Sequence, residues 1–494
     1  MSEQKSKKGL TVLIFGVTVI VVFILGLFAS SVIERRAEGV SRLQMVKKID
    51  KWESRNEVWG ENFPNEFESY LKTLDTTFVS KYAGSIKRDY LADYPNLVIL
   101  WAGYGFAKEY NQARGHAYAV KDIREILRTG GVEDSPMPAT CWTCKSPDVP
   151  RLMDKLGSPK AFYSGSWIDK GEEIINPIGC GDCHEANTMN LTITRPALIE
   201  AMERRGRKKE SFTHQEMRSL VCAQCHVEYY FAKPDNYLTF PWDKGFSADS
   251  MEAYYDNIEF SDWTHKLSKA PMLKAQHPDY ELFMTGIHAR RGVACADCHM
   301  PYKVQGGVKY SDHHIQSPLN NISNSCQVCH RESEEEIRQT VFDIQDRVIE
   351  IRILAETSIA KAHLEAEQAW KAGATEDEMK PILKLIRNAQ WRWDWVAAAN
   401  GAGFHSPVEA LRVLGTSIQK AEQSRGMLSV VFVKHGINIP VKLPDYSTKE
   451  KAQKYIGLDM EALRKDKDNL LKTKVVEWDK KAKARQGTLM EYNK

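Results

Sequence analysis

Ten cysteines stand in this sequence, and every one belongs to a C-x-x-C pair. The pairs are Cys141–Cys144, Cys180–Cys183, Cys222–Cys225, Cys295–Cys298 and Cys326–Cys329. His184, His226, His299 and His330 follow the last four pairs directly, and Lys145 follows the first. Two thiols three positions apart lie on one turn. There they reach the two vinyl groups of a single porphyrin, and the next side chain projects a nitrogen onto the iron. Zinc would need two pairs per site, and five pairs cannot be shared out evenly. Disulfides need no histidine after the second cysteine, and a thioredoxin-like motif is single and sits in a βαβ unit absent here. The pairs therefore specify covalent c-type haem, five per chain.

Lys145 departs from the pattern. An empty, degenerate site is one reading; the other makes the Lys145 amine the axial ligand. Both cysteines are retained and an ordered-looking Ser-Pro-Asp-Val-Pro turn follows, which favours the ligand. The amine must then be neutral, a state that burial against the metal enforces. Of 14 histidines, four follow a pair and ten remain. Electron-transfer haems take a second axial side chain, so four more are needed, whereas a reacting haem keeps one face open. One differently ligated haem beside four ordinary ones predicts a single reaction centre supplied with electrons by the rest.

The elements that hold these groups need little regular structure between 141 and 330, because the prosthetic groups themselves supply apolar core. The uneven spacing of the pairs excludes a repeat array. Residues 35–138 read as short helices and loops. Beyond His330, Glu334–Lys371 contains neither Pro nor Gly and places Val341, Ile344, Val348, Ile351 and Leu354 at helical spacing. A second helix is expected over 376–399, with Pro381 tolerable only in its first turn. A third opens at Ser406 with Pro407 at its first position. Residues 449–484 read as charged helix broken near Gly457. The expected fold is mainly α: a haem-packed multihaem cytochrome c body over 34–330, with little β, followed by a long-helix region over 331–494.

Residues 1–33 read as an export segment. Lys5, Lys7 and Lys8 precede an uncharged run over 9–33, longer than the roughly 20 residues that span a bilayer. Ala29, Ser30 and Ser31 would suit cleavage, so the segment is either a signal peptide or a retained membrane anchor. In both cases the lysines stay cytoplasmic and the rest is periplasmic, anchored to the cytoplasmic membrane if the segment is kept. A net charge of +3 with no basic block gives no reason to expect nucleic acid.

Longer stretches carry a resemblance. RGHAYAV (114–120), LRTG (127–130), CWTCKSPDVP (141–150), CAQCHVEYY (222–230), DWTH (262–265), LKAQHP (273–278) and GFHSP (403–407), with the later C-x-x-C-H sites, closely resemble the pentahaem, ammonia-forming cytochrome c nitrite reductases (catalytic subunit). The resemblance implies that Lys145 is the proximal ligand of the active haem and that Arg128, Tyr229 and His277 surround its open face. It implies distal ligands at His116, His288, His313 and His405, with His313 preferred to His314. It also implies a calcium site of Glu228, Tyr229, Lys274 and Gln276, Tyr229 and Lys274 giving backbone carbonyls. That donor set suits calcium, which takes carboxylate, amide and carbonyl oxygens.

Taken alone, these residues have plainer readings: Arg128 as a helix-end cation, Tyr229 as core aromatic beside Tyr230 and Phe231, His277 as an ordinary histidine. The implied reaction is nitrite to ammonium, nitrogen passing from +3 to −3 with six electrons and eight protons. The resemblance further implies a homodimer through the C-terminal helices and a membrane-bound, quinol-oxidising multihaem cytochrome as electron donor. The alternatives are a non-enzymatic multihaem electron carrier, with both faces of every haem ligated, and a sulfite- or hydroxylamine-directed multihaem reductase.

Overall fold

The computed structural model describes residues 2–42, 45–82 and 84–487. Met1 of the expected export segment and 488–494 of the long-helix region lie outside the described residues. Met1–Ile49 and Asp50–Lys494 form two units. In the first, helix α1 (Ser2–Arg42) includes Gly9–Glu34, a stretch of mean hydropathy 3.0 that is long and apolar enough to cross a membrane. That is the behaviour of a signal or an anchor.

Helix makes up 57% of the chain and strand 6%, which settles the class as mainly α. The strands are three short antiparallel hairpins: β1 (Tyr230–Ala232) with β2 (Tyr237–Thr239), β3 (Trp263–Thr264) with β4 (Pro271–Met272), and β5 (Tyr302–Gln305) with β6 (Val308–Ser311). Between 50 and 330 most helices are short. Among them α2 (His214–Ala223) delivers the third C-x-x-C pair and α3 (Asp279–Thr285) starts beside it.

The long helices follow: α4 (Glu334–Lys371), α5 (Glu376–Ala397) and α6 (Pro407–Lys434). Reciprocal side-chain and backbone bonds between Ser333 and Glu336 start α4, and the same device between Thr375 and Glu378 starts α5. Pro381 lies in the second turn of α5 rather than the first. Its missing N–H removes one bond near a helix end that the Thr375 cap already fixes. The second half of α5 is buried all round: Trp391, Trp393 and Trp395 are fully buried, and Arg387, Asn388, Gln390, Arg392 and Asp394 are buried with them. Lys449–Tyr455, α7 (Met460–Leu470) and α8 (Val476–Gln486) complete the chain. The break at Gly457 is real, since that residue takes φ +72°, a conformation glycine adopts without strain.

Candidate active site

The turn carrying Cys141, Cys144 and Lys145 is fixed from several sides. The Trp142 ring stacks on Trp167 at 5.0 Å and its indole N–H donates to the Trp167 carbonyl at 2.8 Å. Arg195, 1% exposed, donates to the carbonyls of Thr143 (2.9 Å) and Ser146 (2.8 Å) and pairs with Asp182 at 2.6 Å. Asp182 lies inside the second C-x-x-C pair, so one buried guanidinium ties two attachment turns together. The turns form a chain of neighbours: Cys144 hydrogen-bonds Cys225, and Cys222 hydrogen-bonds Cys295. Burial lowers the Lys145 amine below the ordinary lysine value, with the Arg128 charge acting in the same direction, as a metal-binding amine requires.

Each of the four histidines that follow a C-x-x-C pair faces a second imidazole. Ring centroids lie 6.3 Å apart for His226 and His116, 6.2 Å for His184 and His313, 6.3 Å for His299 and His405, and 6.3 Å for His330 and His288. Metal–nitrogen bonds of about 2.0 Å, with ring nitrogens about 1.1 Å from the centroid of a ring whose bonds are near 1.33 Å, place two imidazoles on one metal about 6.2 Å apart. The separations fit an iron between each pair. His265 and His363 show the contrast: they stack directly at 3.7 Å, and protein atoms (Ile99 O, Ser268, Gln390) satisfy their nitrogens. His313 faces His184, whereas the His314 ring bonds Gln316.

Arg128 sits in a 3-10 turn, Leu127–Thr129, closed by Gly130 at φ +77°. A Cβ on Gly130 would collide with the Asp134 carbonyl, and one on Gly131 with Asp466. The turn is gripped by α7: the Asp466 carboxylate accepts from Val132 N (3.0 Å) and Glu133 N (3.2 Å), and Lys467 Nζ donates to Arg124 O (3.1 Å) and Thr129 Oγ1 (2.9 Å). The Arg128 guanidinium lies 4.6 Å over the Phe106 ring and is an electrostatic neighbour of Cys141, Lys145 and Tyr229. Burial pushes His277 down to about 3, so at neutral pH its ring is uncharged. Burial raises the Tyr229 hydroxyl, with Cys144 and Cys141 next in effect. Three distant segments thus converge on the 141–145 turn.

Beside them lies a buried group of acids. Glu228, 0% exposed, accepts from Tyr255 OH (2.8 Å) and Gln276 N (2.6 Å), and its own N–H donates to Glu281 Oε1 (2.9 Å). Glu281 Oε2 is buried without a hydrogen-bond partner. Lys274 turns its ammonium into Asp394 at 2.8 Å, both side chains 1% exposed, while its backbone N–H donates to Asp262 Oδ2 at 2.8 Å. The Gln276 side-chain amide lies 3.2 Å from Lys274 O. Burial raises Glu281 to about 8 and Asp262 to about 7, and Glu228 well above the carboxylate range. Three buried carboxyls and the half-buried Asp262 against one buried ammonium is an arrangement that a cation would relieve. Among the described residues no three His, Cys, Asp or Glu side chains form a metal site by themselves. Carbonyl and amide oxygens would have to share the work, as calcium accepts.

Asp279, Glu281, Asp394, Asp466 and Lys467 were not anticipated from the sequence. Only Asp279 and Glu281 carried a signal, as carboxylates directly downstream of the His277–Pro278 step.

The chain is similar to known proteins along nearly its whole length. It is 56% identical to cytochrome c-552 of Parabacteroides distasonis over 97% of this chain and 98% of that one. It is 56% identical to cytochrome c-552 of Bacteroides fragilis over 98% of each. A solved cytochrome c nitrite reductase from Desulfovibrio desulfuricans, whose catalytic subunit is described with two calcium sites, superimposes with a TM-score of 0.73 at 31% identity. The match covers 84% of this chain and 91% of that chain. Residues 55–487 match the cytochrome c552 family, and that span holds all five C-x-x-C pairs and the four facing imidazoles: the chain belongs to the cytochrome c552 family.

Proposed function

We propose that this protein reduces nitrite to ammonium at a haem carried by Cys141, Cys144 and Lys145, with electrons supplied through four bis-histidine haems. Those four would be held by Cys180–Cys183 with His184 and His313, Cys222–Cys225 with His226 and His116, Cys295–Cys298 with His299 and His405, and Cys326–Cys329 with His330 and His288. The observation that carries this reading is the asymmetry of ligation. Four attachment histidines each face an imidazole at 6.2–6.3 Å, whereas the residues gathered around Lys145 are Arg128, Tyr229 and His277. Bound haem supplies single electrons and, at the lysine site, one open coordination position.

The protein's own residues do the rest. Arg128 supplies a permanent positive charge for the anion. His277, neutral and half-buried, donates through one ring nitrogen and passes protons on. Tyr229 contributes a hydroxyl donor. Glu228, with the carbonyls of Tyr229 and Lys274 and the amide oxygen of Gln276, would hold calcium. The Lys274 side chain is committed to Asp394, which leaves only its carbonyl for a cation. The exposed Val408, Val430 and Val433 of α6 support a homodimer interface on the long helices. The apolar α1 supports a periplasmic location near a membrane-bound, quinol-oxidising multihaem donor.

The test is made on purified holoprotein. It should contain five covalent haems and calcium, show one high-spin haem signal that nitrite shifts, and yield ammonium at six electrons per nitrite. A protein with every haem low-spin, binding neither nitrite nor cyanide, would be an electron carrier instead.

A further inference from the structure

The four histidines that follow C-x-x-C pairs are not equivalent on the side away from the iron. His184 presents Nδ1 to the carbonyl of Met189 at 2.8 Å, and His299 to that of Gln316 at 2.7 Å. His330 Nδ1 stands 3.8 Å from Glu332, whose side chain is 60% exposed to water. His226 differs. Its Nδ1 lies 3.3 Å from Oδ2 of Asp279, a carboxylate only 11% exposed. Asn400 fixes that carboxylate from the opposite side, its backbone N–H donating to Oδ1 at 2.6 Å and its side-chain amide to Oδ2 at 2.8 Å. Among the described residues, no other attachment histidine is hydrogen-bonded to a buried carboxylate.

We propose that Asp279 is a positioning residue that acts through His226, giving this imidazole anionic character and lowering the reduction potential of the haem it ligates. The inference rests on the bis-histidine reading of the Cys222–Cys225 site. A charge-assisted hydrogen bond is about twice as strong as one to a carbonyl, and burial of the carboxylate partner strengthens it further, the His226 side chain itself being 46% exposed. A carboxylate behind a ligating histidine raises its basicity; a more basic ligand stabilises ferric over ferrous iron, which is how hydrogen bonding around an axial ligand sets potential.

The placement gives the device a purpose. Cys225 neighbours Cys144, so the tuned haem would stand next to the one that consumes electrons. The same backbone serves both: Asp279 N donates to His277 O at 2.7 Å, His277 N to Val227 O at 3.3 Å, and Tyr280 N to His226 O at 3.1 Å. One short segment therefore carries a proton donor for the substrate pocket and the group that makes the adjacent haem a stronger reductant.

The experiment is a spectroscopically monitored redox titration of wild-type and Asp279→Asn holoenzymes. The haem in question is identified as the one whose low-spin signal disappears in His116→Ala. Asparagine preserves shape and removes the charge, so the ferric preference of that haem should fall about tenfold, an upward shift of about 59 mV for one electron. The other bis-histidine haems should stay in place, and Asp279→Glu should return the potential toward wild type. Unchanged potentials in Asp279→Asn, or equal shifts in all haems, would overturn the inference. If Asp279→Asn fails to load its haems, Asn400→Ala, which removes the donor that shares Oδ2 of Asp279, decides alone: a shift confined to that haem supports the proposal and none overturns it. A wild type with fewer than four bis-histidine signals would instead overturn the ligation reading, a separate failure.

Discussion

Around His405 the chain supplies a partner imidazole 6.3 Å away and, at 6.2 Å, the perpendicular ring of Phe283. Around Lys145 it supplies a guanidinium, a neutral imidazole and a phenol, from three segments. The first corner is cheap to build, because aromatic rings lose little by burial. The second forces charged and polar groups out of water and needs help from Arg195, Asp466 and Lys467 to hold them. A guanidinium, an imidazole and a phenol converge where an anion must be held and protons delivered, whereas the rings of His299 and Phe283 stand beside His405, where an electron only passes through.

The sharpest way to break that distinction is to make the second corner resemble the first. Lys145→His should keep its haem attached, since both thiols remain. Nitrite turnover should fall by more than the roughly 10³-fold that loss of one stabilising donor costs. Steady-state rates on fully haem-loaded protein decide it, and wild-type rates would show that lysine and histidine are interchangeable there.

Next come the groups of the open face. Arg128→Ala and His277→Ala should each lower nitrite reduction by about 10²–10³-fold while the four low-spin haem spectra stay as in wild type. Tyr229→Phe, which keeps the ring, should lose turnover more than it weakens anion binding. Near-wild-type turnover in both the Arg128 and His277 variants would remove the reason for assigning nitrite to this haem.

The smallest effect on turnover tests the comparison from the opposite side. His405→Ala opens a second haem, which should turn high-spin and bind cyanide, yet turnover should drop by less than about tenfold, far less than for the pocket variants. Combined with Arg128→Ala, this variant should remain slow. Recovery of nitrite reduction in the double variant would mean that an open iron suffices without the surrounding donors.

Much of this was legible in the sequence, for definite reasons. The C-x-x-C pairs are local, so their chemistry needs no tertiary information. The helix Glu334–Lys371 was readable to the residue because the Ser333 cap and the absence of Pro and Gly are local as well. Pro381 misled by a turn, since its cost depends on how well the preceding cap holds. Which histidine faces which was not legible, because His116 and His226, or His299 and His405, meet only through packing of distant segments. The same holds for Asp394 reaching Lys274 and for α7 reaching the Arg128 turn. A carboxylate more than a hundred residues away carries no mark of its partner.

The grip of Asp466 and Lys467 on the Arg128 turn also has a consequence in time. The chain is made from its N-terminus, and domains fold as their residues appear. All five attachment pairs have emerged once residue 330 is out, while α7 does not yet exist. Prosthetic groups can therefore be joined to a chain whose anion-holding arginine has nothing to brace it. On the proposed role of Arg128, competence to turn over substrate would arrive last, with the closing helices, and a copy clipped before α7 would carry its attachment pairs without the brace on that turn.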